Sequence, residues 1–523
     1  MKRVHLVLAT LAGCCATSAY AANVEVSAAV QQDTLPSLAH AKANPSSSWH
    51  YHPEHAIPLP YFPKNQEDGA VQDSVFGPKF APAFQTGVDG VGQGFVGPQG
   101  TYSVQYAPPD TVGAVGATQY VQVTNVDFAV FNKSTKAVQY GPVATSTLWS
   151  GFGGQCETDN DGDATVVYDK AAQRWIISQF AVGTSPYLQC VAVSQTSDAT
   201  GGYYRYAFSY GTGFNDYPKM GVWPDGYYVT FNIFNNGSTF AGSKLCAYDR
   251  AKMLTGAAAT QQCFQLSTSY GGVLPSDLDG STAPPAGSPN YMVNFGTNSL
   301  NLWKFHVDWA TPANTTLSAP KSIPVAAFSP ACSGGNCVPQ GNSRTKLDSL
   351  ADRLMYRLAY RNFGTYESLV VNHSVTVGTN KHTQSVGVRW YELRGPNAAT
   401  PSVFQQSTYA PDATFRWMGS IAQDKQGNMA LGYSASSTSI NPAIRYTGRL
   451  IGDPVNTMQA EANIVAGGGS QSGSNLNRWG DYSAMTIDPT DDCTFWYTTE
   501  YLKATGAFNW NTRVASFKFA GCQ

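Results

Sequence analysis

Asn215-Asp216-Tyr217-Pro218-Lys219-Met220-Gly221-Val222-Trp223-Pro224-Asp225-Gly226-Tyr227-Tyr228-Val229-Thr230-Phe231 sets the pattern for the chain. An Asp stands just before a short apolar run, a Pro-Asp-Gly turn follows, and a second run rich in Tyr and Val returns. Short β-branched and aromatic runs bounded by Gly, Pro and Asp read as strands joined by tight turns. The opening Asp returns in Pro109-Asp110-Thr111-Val112, Gly162-Asp163-Ala164-Thr165, Ala351-Asp352-Arg353-Leu354 and Gly480-Asp481-Tyr482-Ser483. Phe415-Arg416-Trp417-Met418 opens a unit of the same rhythm with Arg in place of Asp, and Asn290-Tyr291-Met292 marks a weaker one.

Between these openings lie further strand signals such as Trp175–Phe180, Ser368–Asn372, Val386–Leu393 and Phe495–Tyr501, and no long segment keeps a helical period. The fold class is therefore all-β. Repetition at this spacing suits four-stranded blades packed radially, because such a blade cannot bury both faces alone. The expected fold is a disulfide-stabilised β-propeller of about seven blades, with six or eight blades and a two-sheet sandwich array as the alternatives. Its innermost strands would bring the opening aspartates together as an acidic ring at one channel mouth.

The 523 residues carry 32 Lys+Arg against 34 Asp+Glu, a net charge of -2 that argues against nucleic acid as a partner. Charged residues are only 13% of the chain, while 50 Gly, 30 Pro and 12% aromatics favour turns and strands. Met1-Lys2-Arg3, an apolar stretch from Val4 to Ala12 and Ala19-Tyr20-Ala21 read as a signal peptide over residues 1–21, so the expected location is extracellular or periplasmic. Leu11-Ala12-Gly13-Cys14 also fits a lipobox, which would leave a lipid anchor at Cys14. No run is long and apolar enough for a transmembrane helix. Residues 22–106 are rich in Pro, Gly, Gln, Ser and Ala and read as a leader or wrapping segment ahead of a propeller domain at 107–523.

Beyond the signal, eight cysteines remain, an even number that in an exported chain indicates disulfides. Sequence does not fix their pairing. Nearest neighbours give the simplest arrangement: Cys156 with Cys190, Cys246 with Cys263, Cys332 with Cys337, and Cys493 with Cys522.

The blocks Asp216 to Asp225, Arg416-Trp417-Met418-Gly419-Ser420-Ile421-Ala422 and Arg478-Trp479-Gly480-Asp481-Tyr482-Ser483-Ala484-Met485 resemble a family of exported bacterial β-propeller proteins. The resemblance runs from about Ala107 to Cys522 and implies a fold, not a substrate. More remotely, the pattern is similar to the sialidase-like propeller superfamily, which implies aspartate-rich turns and an arginine cluster at the channel mouth. The chain departs from that superfamily in having no Ser-x-Asp-x-Gly-x-Thr-Trp box; Asp488 to Trp496 is only loosely related to it.

Converging carboxylates can serve as general acid and base, with one pKa raised by its neighbours, which makes Asp216, Asp352 and Asp481 the catalytic candidates. The competing role for each is to accept backbone hydrogen bonds in an inter-blade turn. Arg357, Arg389, Arg416 and Arg478 could grip an acidic group bidentately, while Tyr217, Trp417 and Trp479 offer faces on which sugars stack. The alternative is that the arginines pair with the aspartates and the rings fill the core. Asp159, Asp161 and Asp163 offer hard oxygens at alternate positions, as calcium loops do, though without the EF-hand's Gly and Glu; a hydrogen-bonded turn is the other reading. The function expected is binding or hydrolysis of an extracellular glycan at the channel mouth; the rival is a non-catalytic module that binds a surface protein.

Overall fold

The computed structural model describes residues 23–44, 55–63, 66–75, 81–380 and 382–523. The signal sequence, Cys14 and the tract from His50 to Glu54 lie outside the described residues. Among those described the chain is all-β, and no helix exceeds five residues.

Strands that follow one another in sequence pair antiparallel with one another. Val112–Val115, Gln119–Val123, Asp127–Asn132 and Val138–Ala144 form the first such sheet. Equivalent runs occupy 165–211, 213–265, 274–324, 355–409 and 415–465, and Ala484–Ile487, Phe495–Leu502 and Trp510–Lys518 form the last. The 274–324 and 355–409 runs share one sheet, because Leu274–Asp279 pairs in parallel with Met355–Asn362, Ser276 opposite Leu358.

N-terminal segments supply outer strands. Glu25–Ala28 adds to Thr260–Gln265, Gln31–Leu35 to Tyr203–Gly211, Val71–Gln72 to Ser402–Tyr409, and Ala83–Asp89 to Trp510–Lys518. The first strands of successive runs lie against one another in chain order, and Ala484–Ile487 lies against Val112–Val115. This arrangement follows from the residue pattern. Met429–Ser436 and Phe495–Leu502 are buried at every position rather than at alternate ones, so both faces of each sheet need cover.

First and second strands are joined by turns whose aspartates bond the backbone. Asp169 Oδ1 accepts from the N–H of Ala172 at 3.0 Å. Asp424 Oδ1 accepts from Gln426 and Asn428, and Asp491 Oδ1 from Cys493 and Thr494. Asp does this well because its side chain imitates the carbonyl of a turn.

All four disulfides join nearest neighbours in sequence: Cys156–Cys190, Cys246–Cys263, Cys332–Cys337 and Cys493–Cys522. They fit an oxidising, extracellular or periplasmic setting. No helix of the described residues is long and apolar enough to cross a membrane. The last disulfide closes 29 residues and ties the C-terminus to the turn before Phe495–Leu502. Replacing Cys493 and Cys522 together by Ser is expected to cost about 3 kcal/mol through the freer unfolded chain, and calorimetry of the double variant, with an unchanged melting midpoint as the contrary result, checks it.

Candidate functional site

The opening aspartates come from five different runs and gather where the first strands begin. The backbone there is unusual: Asp110, Asp163, Tyr217 and Met418 have φ of 45°, 44°, 56° and 51°. Asp tolerates this left-handed region, whereas Tyr and Met are held in it only by their surroundings. The strand ladders also break register between Asp216 and Lys219 and between Trp417 and Ser420, which lifts these residues out of regular pairing.

Hydrogen bonds stitch the openings to one another. Asp110 Oδ1 accepts from the Asp481 N–H at 2.7 Å, joining the last run to the first. Asn125 joins the first to the second: its Nδ2 donates to Asp110 Oδ2 at 2.7 Å and its Oδ1 accepts from the Asp163 N–H at 3.0 Å. The Tyr482 hydroxyl donates to Asp163 Oδ2 at 3.0 Å, and that of Tyr217 donates to the Asp481 carbonyl at 3.3 Å.

Three cations enter the cluster. Lys219 is buried with its Nζ 2.9 Å from the centroid of the Tyr217 ring and 3.3 Å from that of Tyr482. Arg353 grips Asp352 in two places, at 2.6 and 2.9 Å, and lies 4.3 Å from the Tyr217 ring. Arg478 pairs with Asp481. Glu500 adds a sixth carboxyl: its Oε2 accepts from the Gly480 N–H at 3.1 Å, while its Oε1 is buried without a hydrogen-bond partner.

Six carboxyls thus share three cations in little water, and the titration behaviour follows. Burial, reinforced by Asp163, pushes the Asp216 carboxyl up to about 8 against the pull of Arg353. Burial also raises Asp110, with Asp481 adding to it, and raises Asp163 against the pull of Lys219. Glu500 is raised well above the carboxylate range by burial. Burial drives the Lys219 ammonium well below the ordinary lysine range although Asp163 draws it back. A carboxyl that still holds its proton near neutrality beside a lysine that readily loses one is a set of groups fit for proton transfer. Asp163, Asp216, Asp481 and Arg478 keep partial exposure, so the cluster reaches solvent.

Other sequence candidates lie elsewhere. Arg357 is in the space enclosed by the first strands, further along, paired with Asp277 at 2.8 Å and Asp279 at 2.5 Å. Arg389 is taken up by Asp68 and Thr408, and Arg416 by Glu461 and Asp412. Trp417 and Trp479 are buried against each other with centroids 5.8 Å apart, so their faces serve the core. Asp161 Oδ2 accepts from the Val182 N–H at 2.6 Å and Asp159 Oδ2 from Gly183 at 3.3 Å, while Asp163 turns to Tyr482. Among the described residues no group of three or more His, Cys, Asp or Glu is arranged to hold a metal ion.

Sequence reasoning missed Lys219, Arg353 and Tyr482 although each stands within three residues of a chosen Asp; for Lys219 and Arg353 the signal was a basic residue inside an otherwise apolar opening, and for Tyr482 a hydroxyl-bearing ring next to Asp481. Asn125 and Glu500 carried a fainter signal, a polar side chain within a strand-rich stretch.

No family model and no curated protein matches the chain. Among solved structures, the N-terminal domain of Nup159 aligns with 86% of this chain and 100% of its own at 8% identity and a TM-score of 0.34. An endo-arabinase from Bacteroides thetaiotaomicron covers 56% of this chain and 94% of its own at 13% identity and 0.27. The WD40 domain of SCAP from fission yeast covers 76% and 82% at 7% identity and 0.30. None of these scores reaches the level at which a shared fold follows, so the description of the architecture rests on the strand pairing.

The raised Asp216 has a definite consequence for stability. The folded chain binds its proton more tightly than the unfolded chain does, so this contribution is full below the unfolded value of about 4 and is lost as pH rises through about 8. Asp216→Asn lacks the titrating group, and is expected to gain melting temperature over the parent at pH 8 by clearly more than at pH 5. Scanning fluorimetry at both values checks this; an equal offset at the two would contradict it.

Proposed function

We propose that the protein is an exported seven-bladed propeller that cleaves an extracellular glycan at the mouth where its first strands begin. The cyclic adjacency of those strands and the outer strand Ala83–Asp89 on the last sheet support the blade count. On this reading residues 107–523 make up the propeller apart from the outer strand of its last blade, which Ala83–Asp89 supplies, the rest of the stretch before it wraps the outside, and the chain is secreted rather than anchored through Cys14. The remote sialidase-like relation enters as a relation of fold only.

One observation carries the catalytic reading: Asp216 holds its carboxyl proton near neutrality, up to about 8, among partly exposed carboxylates. Asp216 would protonate the leaving oxygen, Asp481 would act as the partner carboxylate, and Arg478 would orient the substrate while holding Asp481. Asp352 is already gripped by Arg353 and so acts by fixing that guanidinium against Tyr217. On a broad polysaccharide panel the parent is expected to release new chain ends from at least one glycan, and Asp216→Asn and Asp481→Asn to slow that release about a hundredfold or more with folding retained. The absence of product across the panel would overturn the reading.

The rival, a non-catalytic binding module, is favoured by Asp110, whose two oxygens are both spent holding neighbouring runs together. It requires a glycan or surface protein to bind the parent and Asp216→Asn alike, with nothing cleaved.

Calcium fits the Asp159 turn poorly, since an ion would displace the N–H donors of Val182 and Gly183 and the Tyr482 hydroxyl. The turn is held by those bonds, so adding EGTA is expected to leave the melting temperature unchanged; a fall that calcium reverses would reinstate the ion.

A further inference from the structure

At the other end of the first strands the enclosed space opens into a cavity of about 640 Å³. It is a separate place from the carboxylate cluster. Between them the space narrows to about 20 Å³ around Tyr356, Arg357 and Thr486, which is room for about one water molecule. Arg357, with Asp277 and Asp279, is the plug.

The wall of this cup consists of strand ends and the turns that follow them. Pro224, Leu278 and Ala171 give it apolar surface, with the buried Trp223 and Tyr168 behind them. Its carboxylates are each neutralised within the protein: Asp169 by Arg250, Asp492 by Arg361 and Asp491 by Lys518. Lys170, also in the wall, is spent on Asp279. Lys425 is different. Its backbone N–H donates to the Asp492 carbonyl at 2.9 Å, which fixes it at the rim. Its side chain is exposed and forms no ion pair among the described residues. The cup is therefore apolar in its walls, self-neutralised in its acidic groups, and left with one cation to spare. Its volume suits a ring-sized ligand.

We propose that this cup is a second binding site, for a small ligand that carries one carboxylate on a ring with an apolar face. A uronic acid sugar and an aromatic acid share that chemistry. The ring lies against Pro224 and Leu278, and the carboxylate meets Lys425. The site is independent of the cleavage proposed for the opposite end, so it stands whether or not that reading does.

The test is calorimetric titration of the full mature chain with sodium glucuronate and with sodium phenylacetate, using glucose and benzyl alcohol as neutral counterparts. At least one acid is expected to bind with a Kd of about 1 mM or below, and its neutral counterpart about tenfold more weakly. Binding of glucuronate alone assigns the site to acidic sugars, and of phenylacetate alone to aromatic acids. Lys425→Ala, an exposed position, is expected to weaken binding about tenfold or more, and Ala171→Trp, also exposed, to weaken it by narrowing the cup. Asp216→Asn should bind as the parent does. The proposal is overturned if neither acid binds, if the neutral counterparts bind equally well, or if either cup variant binds as tightly as the parent.

Discussion

A sheet that is apolar on both faces cannot leave either face in water, and this constraint shapes the rest of the molecule. Strands such as Met429–Ser436 bury every side chain, so each run of strands must pack between two others. A linear stack would leave two wet apolar faces at its ends. Contact between Ala484–Ile487 and Val112–Val115 covers both, and Ala83–Asp89 covers the outer edge of the last sheet. The convergence of the opening residues follows from that closure. Five aspartates far apart in sequence meet because the strands they open must meet.

Convergence is costly, and the cluster shows how the cost is met. Like charges in a poorly hydrated space repel, so some carboxyls keep their protons and the rest are matched to Lys219, Arg353 and Arg478. Lys219 lies between two tyrosine rings, whose faces offset part of its lost hydration. Asp110, Asn125 and the Asp481 N–H make the same region a seam between runs. The seam and the titrating cluster are one set of residues, so charge state and architecture are coupled there.

The strand-rich class, the nearest-neighbour disulfides and the opening aspartates were all legible, because each leaves a local mark in sequence: alternation with turn residues, an even cysteine count, an Asp ahead of an apolar run. The partners of those aspartates were not. Arg353 and Lys219 could be seen as neighbours of Asp352 and Asp216, but their contacts with Tyr217 and Tyr482 depend on how separate runs meet, which no local pattern encodes. Arg389 and Arg416 misled for the same reason. Each sits in a strand signal like those of the cluster, yet Asp68 and Glu461, which neutralise them, lie 321 and 45 residues away. Trp417 and Trp479 looked like sugar platforms because they flank turns; burial on all sides makes them core.

The two ends of the enclosed space differ because their connections differ in length. At the far end most first and second strands are joined by short turns, as between Asp169 and Arg174 or Val222 and Tyr227, with too little chain to fold over an opening, and the longer 280–289 connection lines the cup through Gly280, Ser281 and Ala283. At the near end the connections pass from one run to the next, and three of them, after Ala144, after Pro324 and after Val465, are long. The last two bring Ala331, Val338, Leu347, Leu350 and Trp479 into the same apolar cluster as Tyr217, Met418 and Tyr482, and so roof the carboxylates. Loop length therefore decides where charge is desolvated and where space is left: the roofed end perturbs its titrating groups, while the unroofed end pairs its aspartates with basic side chains from other strands and neighbouring runs and keeps a cup. A proton-transfer site calls for the first environment and a small-ligand site for the second, and the Arg357 plug keeps them from sharing one cavity.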